Sequence, residues 1–247
     1  FYRRTNLTQH RLEALIRNIF DEVDCIEIPD VMVERINMVH RERSEASRQF
    51  FEKNAEIFDQ RQGELCDFEQ YKNTLIEVLD VIPDLRRNEV LEVGPGYGEL
   101  LPYLLDRFQS IVALDSSKEM LQRAVDRHGK SKRISFVHES LSQFSRTSST
   151  RYDLVAMNMV LHHMSSPVAV FTQAKKLIKA NGFMLVADLC AHDQDWVKGT
   201  CGDLWQGFTP TEMEQWALSN DFEVRESLFL GLKNGFQIQV KLFQSRV

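Results

Sequence analysis

The sequence predicts an α/β fold: a mostly parallel sheet with helices on both faces, an antiparallel C-terminal hairpin, and an N-terminal helical extension. Three observations carry this. After Pro83, short β-rich runs alternate with helical segments, the pattern of a parallel sheet. The first run, Val90-Leu91-Glu92-Val93, leads straight into a glycine loop. The tail breaks the alternation, because Glu223–Phe229 and Gln237–Phe243 sit close together around Gly231 and Gly235, which suits a hairpin and not another crossover.

The extension comes first. Leu12, Leu15, Ile16, Ile19, Phe20 and Val23 form one apolar stripe at helical spacing, with Thr8 as the N-cap. Pro29 interrupts the pattern. A more charged helix follows from Asp30 to about Phe58, and its His40–Glu45 run is a solvated face. A third helix, Phe68 to Val81, ends at Pro83. The expected strands are Val90–Val93, Ile111–Asp115, Ile134–Val137, Leu154–Met157 and Phe183–Ala187. Helices lie between them around Leu100–Arg107, Glu119–His128 and Val168–Lys179, and Ser145–Arg151 reads as a surface loop. The expected domains are 1–48, the extension, and 49–247, the α/β domain.

Composition excludes several classes. The 247 residues carry 30 Lys+Arg against 36 Asp+Glu, a formal charge of −6 that argues against broad nucleic-acid binding. With 43% hydrophobic residues, the chain can bury a core without staples. No apolar run is long enough for a membrane span, and no secretory leader is seen, so the expected location is cytoplasmic. The chain does not begin with Met, and the expectation is that something precedes Phe1. Cys25, Cys66, Cys190 and Cys201 are scattered without a CxxC pair, so neither a disulfide framework nor a zinc site is expected, and no metal is called for.

The glycine loop is Gly94-Pro95-Gly96-Tyr97-Gly98-Glu99. A glycine turn between strand and helix lets backbone N–H groups approach a ligand closely. A dinucleotide fingerprint needs a glycine at 99, where Glu would repel a pyrophosphate. Asp115 ends the second strand, 21 residues after Gly94, where a carboxylate accepts from ribose hydroxyls.

Glu92-Val93-Gly94-Pro95-Gly96-Tyr97-Gly98 with Asp115 resembles the first two motifs of class I S-adenosylmethionine-dependent methyltransferases, which have a Rossmann-like sheet. Met157-Asn158-Met159-Val160-Leu161-His162-His163 followed by Ser166-Pro167 looks like that superfamily's "NxxLHHxxDP" segment. Lys179-Ala180-Asn181-Gly182-Phe183 is similar to its lead-in to strand five. The resemblance spans about residues 50 to 247 and makes 49–247 a methyltransferase domain. It implies S-adenosylmethionine as cofactor and S-adenosylhomocysteine as product. Gly94, Pro95, Gly96 and Gly98 would line the methionine part, Glu92 would approach its ammonium, and Asp115 would hold the ribose. Ser116 and Met120 would border the adenine, with Leu141 and Asn158 completing the set. The family often places an Asp after strand three for the adenine amino group. Glu139-Ser140 stands there instead, and a serine accepts more weakly than a carboxylate.

Asp188-Leu189-Cys190-Ala191-His192-Asp193-Gln194-Asp195-Trp196 and Gly202-Asp203-Leu204-Trp205-Gln206-Gly207-Phe208 together resemble the methyltransferase half of proteins that fuse an ArsR-type winged-helix repressor to a methyltransferase. Asp203 replaces a His of the second pattern. That resemblance makes Phe1-Tyr2-Arg3 the last wing strand of a missing DNA-binding domain. The Leu12–Val23 stripe would then be a homodimerisation helix, and its other reading is packing against the methyltransferase core.

A sulfonium is already an activated methyl donor, so the protein chiefly aligns donor and acceptor and excludes water. His162, after strand four, and His192, after strand five, are the candidate catalytic bases for a small-molecule acceptor. The plainer reading of His162 is a residue packing the start of the next helix. Trp196, Trp205 and Phe208 are candidates for an apolar lid or simply core, and Phe51 and Phe58 could close the pocket from the extension. An alternative function is sensing of S-adenosylmethionine or its product for a transcriptional regulator, with little turnover.

Overall fold

The computed structural model describes residues 11–54, 63, 65–83 and 87–246. The chain divides into two compact units, Phe1–Arg41 and Glu42–Val247.

In the first unit, α1 spans Glu13–Asp24 and α2, Asp30–Asn54, begins. Leu12 stands at the N-cap of α1 without a side-chain cap, and Thr8 lies outside the described residues. The Pro29 carbonyl accepts from Met32 and Val33 at 2.8 and 3.1 Å, so the proline that stops one helix starts the next. Leu15, Ile19, Val23, Val31, Ile36 and Val39 are all exposed.

The second unit holds the end of α2, then α3 (Phe68–Asp80), β1 (Glu89–Val93), α4 (Leu101–Leu105), β2 (Ser110–Asp115), α5 (Lys118–His128), β3 (Ile134–His138), α6 (Leu141–Thr147), β4 (Tyr152–Asn158), α7 (Pro167–Leu177), β5 (Ile178–Leu189), α8 (Trp196–Thr200), α9 (Pro210–Leu218), β6 (Phe222–Gly231) and β7 (Gln237–Ser245). The seven strands lie in the order β3-β2-β1-β4-β5-β7-β6. Strands β1 to β5 pair in parallel, while β7 runs antiparallel to both β5 and β6. The expected sheet and its C-terminal hairpin are therefore both present.

Alternate residues of the central strands feed two cores. Val90, Ala113, Leu154 and Leu185 face Leu75 and Leu79 of α3 and Leu104 of α4. Leu91, Leu114, Val155 and Val186 face Phe144 of α6, Phe171 of α7 and Met213 of α9. Strands buried on both sides carry continuous apolar runs, which is why β1, β2, β4 and β5 stand out in the sequence.

Two local expectations need correction. The Ser145–Arg151 segment is not all loop, since α6 runs to Thr147, capped by the Ser140 hydroxyl accepting from Gln143 N–H at 3.3 Å. Strand β5 begins at Ile178, so Lys179–Gly182 lies within it, with Asn181 at φ 58°. Helix α9 carries a capping box, Thr209 with Glu212, and Pro210 in its first turn.

Strand order reverses at β1, which lies between β2 and β4. Ligands of open α/β sheets bind at such a switch point, outside the C-terminal ends of the strands.

Candidate active site

The C-terminal ends of β1 and β2 build one side of the site. Glu92 is 1% exposed, and its Oε2 has no hydrogen-bond partner. Burial pushes its carboxyl up to about 8, because nothing charged compensates the lost water. Gly94, Gly96 and Gly98 follow at φ 65°, 57° and 75°, left-handed values that favour glycine. Gly94 N–H donates to Leu114 O at 2.8 Å, and a Cβ there would stand 2.4 Å from Val160 Cγ2. The loop thus turns directly under the exit of β4. At Gly96, by contrast, the nearest neighbour of a Cβ would be Met120 Cε at 4.0 Å.

Asp115 ends β2 and accepts from Ser117 N–H at 2.8 Å. Burial pushes its carboxyl up to about 6, against the opposing pull of that hydrogen bond and of His138. The Ser116 carbonyl meets His138 Nε2 at 3.1 Å. Met120, buried in the first turn of α5, packs with Phe50, Phe51 and Tyr97. Glu139 N–H donates to Asp115 O at 2.9 Å, which joins the exit of β3 to that of β2. The Ser140 hydroxyl is engaged as the α6 cap, and Leu141 is buried behind it. At the end of β4, Asn158 Oδ1 accepts from the Tyr71 hydroxyl at 3.0 Å. Tyr71, on α3, is a neighbour that no sequence motif announces.

The ends of β4 and β5 build the other side. After β4 the chain makes a short 3-10 turn, Leu161–His163. Asp188, fully buried near the end of β5, organises it. Its Oδ2 accepts from Leu161 N–H at 2.9 Å and His162 N–H at 3.3 Å, and its Oδ1 meets His162 Nδ1 at 2.8 Å. His162 Nε2 then points to Asp203 Oδ1 at 3.8 Å. Burial pushes the His162 imidazole down, but the Asp188 and Asp203 carboxylates outweigh it and hold the ring up at about 9. His163 is driven well down by burial and by His162. Its Nδ1 lies 3.3 Å from Gly202 O and 3.8 Å from Asp203 Oδ1. His192 Nδ1 accepts from Gln194 N–H at 3.3 Å, while its buried Nε2 has no hydrogen-bond partner. The ring of His192 stands 4.9 Å from that of Phe236.

The aromatic candidates separate. Phe51 packs edge-on to His163 with ring centroids 4.8 Å apart. Trp205 and Phe208 pack together, but Trp205 donates to Met164 O at 2.8 Å and Phe208 is fully buried against Trp216. Trp196 lies elsewhere, against Phe236. The three do not form one lid, and Phe58 lies outside the described residues.

The mostly parallel sheet thus carries a glycine turn, the buried Glu92 and the half-buried Asp115 at its switch point, where ligands of open α/β sheets bind. Residues 60–227 match the family model described as "Methyltransferase domain", and the chain belongs to that family. It is 29% identical over 147 residues to a mitochondrial ribosomal RNA small subunit methyltransferase of Arabidopsis thaliana, covering 55% of this chain and 37% of that protein. It is 26% identical over 113 residues to a ubiquinone biosynthesis O-methyltransferase of Aliivibrio fischeri (strain MJ11), covering 45% and 48%. The chain spans about half the length of the curated relatives it matches. Among solved structures, the magnesium protoporphyrin IX methyltransferase of Synechocystis PCC 6803 with bound SAM superposes with a TM-score of 0.65 at 13% identity, over 82% of this chain and 97% of that one. The N-methyltransferase NodS of Bradyrhizobium japonicum WM9 in complex with S-adenosyl-L-homocysteine gives 0.63 at 15%, over 81% and 98%. These likenesses establish the fold. Among the described residues no helix is long and apolar enough to cross a membrane.

Proposed function

We propose that the chain binds S-adenosylmethionine at the C-terminal ends of β1 to β4 and transfers its methyl group to a small-molecule acceptor, releasing S-adenosylhomocysteine. The observation that carries this is Glu92, a buried carboxylate with an unpartnered oxygen directly before three left-handed glycines. A ligand with an ammonium group satisfies it, and a dinucleotide pyrophosphate does not. The Gly94–Gly98 loop lines the methionine part. Asp115 accepts from the ribose hydroxyls. Met120, Ser116 and Leu141 border the adenine, and Glu139 takes the place of the carboxylate that the capped Ser140 cannot supply. Asn158, already held by Tyr71, closes the floor.

On the acceptor side, His162 and His192 are the proposed proton-handling residues. Asp188 fixes the tautomer of His162 by accepting from Nδ1. With Nδ1 accepting from Gln194, His192 Nε2 carries the hydrogen and can hold an acceptor oxygen by a hydrogen bond without giving up the proton; to take the acceptor's proton, the ring exchanges the Gln194 contact and receives it at Nδ1. Phe51 excludes water from the His163 edge.

The exposed apolar residues of α1 and the first half of α2 favour a second reading for the first unit, a homodimerisation element. In that reading the chain is the methyltransferase part of an ArsR-type winged-helix fusion in the cytoplasm, touches DNA only through the upstream domain, and senses its cofactor. Incubation with methyl-labelled S-adenosylmethionine and a panel of phenols, amines and thiols tests the enzyme reading. It expects labelled product that vanishes in Asp115→Ala. Tight cofactor binding without transfer, joined to a cofactor-dependent DNA affinity of the longer protein, would instead make it a sensor.

A further inference from the structure

We infer that His162, His163 and Asp203 form a binding site for a first-row divalent metal ion, of the zinc or cobalt type. One donor atom from each of these buried side chains lies within 4.8 Å of the others, and no cysteine joins the set among the described residues. The sequence gives no hint of this. Asp203 is 41 residues from His162, and the loop after α8 brings it there, with Leu204 N–H and Trp205 N–H donating to His162 O at 3.0 and 3.1 Å.

Asp203 is the telling member. Its side chain is fully buried, yet neither carboxylate oxygen has a hydrogen-bond partner. A buried carboxylate without hydrogen bonds is costly, and the charged His162 ring at 3.8 Å offsets that cost without making a hydrogen bond, whereas a metal ion would bond to it directly. Both imidazoles approach the same oxygen, Oδ1, at 3.8 Å, too far for a hydrogen bond. Metal–ligand bonds of about 2.1 Å at tetrahedral or wider angles place neighbouring donor atoms roughly 3.4–3.8 Å apart. The spacing is therefore that of two ligands around an ion.

The surroundings fit the same reading. His162 gives its Nδ1 to Asp188, the carboxylate–histidine arrangement that fixes a ligating ring with Nε2 facing inward. His163 presents Nδ1, whose 3.3 Å contact to Gly202 O is long enough to give way. Two imidazoles and one carboxylate suit zinc, cobalt or nickel, whereas magnesium and calcium prefer oxygen ligands throughout. Three protein ligands leave a position open. Resting on the proposed methyl transfer, that position would take the acceptor's oxygen or sulfur and lower its pKa, and His162 would then act as a ligand rather than a base.

The test needs neither cofactor nor turnover, so it fails or succeeds independently of the methyltransferase reading. The tag-free full chain is freed of metal with a chelator, dialysed against Co²⁺, and its visible absorption and bound metal are measured. The inference expects one Co²⁺ per chain with the strong d–d bands of a low-coordinate site, displaced by Zn²⁺. Affinity should fall about 100-fold in Asp203→Asn and in His163→Asn, and roughly 10- to 100-fold in Asp188→Asn. His192→Asn should bind as the parent does. Substoichiometric binding, or affinity unchanged in whichever of Asp203→Asn and His163→Asn keeps its native circular dichroism, would overturn it.

Discussion

Replacing Glu92 by Gln separates what this residue does for the fold from what it does for the ligand. In the free protein its carboxyl sits at about 8 because it is buried. In the unfolded chain it returns to the ordinary value near 4.5. The folded state thus holds the proton more tightly. The stability this supplies is fully present below about 4.5 and is lost as pH rises through about 8. That interval corresponds to about 5 kcal/mol at most, and a relaxed interior reduces it to a few kcal/mol. Gln keeps the shape and has no proton to lose. Urea unfolding of both proteins from pH 5 to 9, without cofactor, should therefore give curves that converge at pH 5. By pH 9 the variant should be a few kcal/mol more stable. S-Adenosylmethionine should narrow or cancel that gap, because the variant loses a charge-assisted contact worth about 1.5–3 kcal/mol, a 10- to 100-fold loss of affinity. A difference between the two curves that does not change with pH would refute the assignment of Glu92 as a buried carboxylate waiting for a cation.

Other expectations follow from neighbouring geometry. Binding of S-adenosylmethionine at pH 7 should expel the Glu92 proton, seen as a calorimetric enthalpy that changes with the ionisation enthalpy of the buffer. Gly94→Ala should cost at least about 1–3 kcal/mol, since its Cβ meets Val160 at 2.4 Å and its φ is 65°, and chemical denaturation reads this directly. Asp188→Asn should destabilise the fold by about 3 kcal/mol, because the amide cannot accept from all three backbone N–H groups and His162 as the carboxylate does. On the homodimer reading of the first unit, Ile19→Asp with Ile36→Asp should lower the molar mass measured by light scattering to that of a monomer while leaving cofactor affinity unchanged.

The residues proposed for the cofactor side are legible in the sequence because their chemistry is local. Glu92, the three glycines and Asp115 lie on or just beyond two apolar strands, and the alternation of strand and helix fixes where those strands end. The hairpin was legible for the same reason, two β-rich runs with too few residues between them for a crossover. The acceptor side was not. His162 and His192 could be placed on the rim, but the partners that define them are contributed across the fold: Asp188 from β5, Asp203 from the loop after α8, Phe51 from the end of α2. Nothing at position 203 says that its carboxylate will be buried without a hydrogen bond. Tyr71 escaped because its helix looks like ordinary core, and only packing turns its hydroxyl toward Asn158. The capping box of α9 is a purely local signal, written in Thr209-Pro210-Thr211-Glu212.

Isothermal titration of the purified chain with S-adenosylmethionine, S-adenosylhomocysteine and NAD tests the central claim most directly. The proposed site predicts one-to-one binding of the first two, lost in Asp115→Ala, and no binding of NAD, whose pyrophosphate would meet Glu99. No binding of either adenosyl ligand, or preferential binding of NAD, would contradict it.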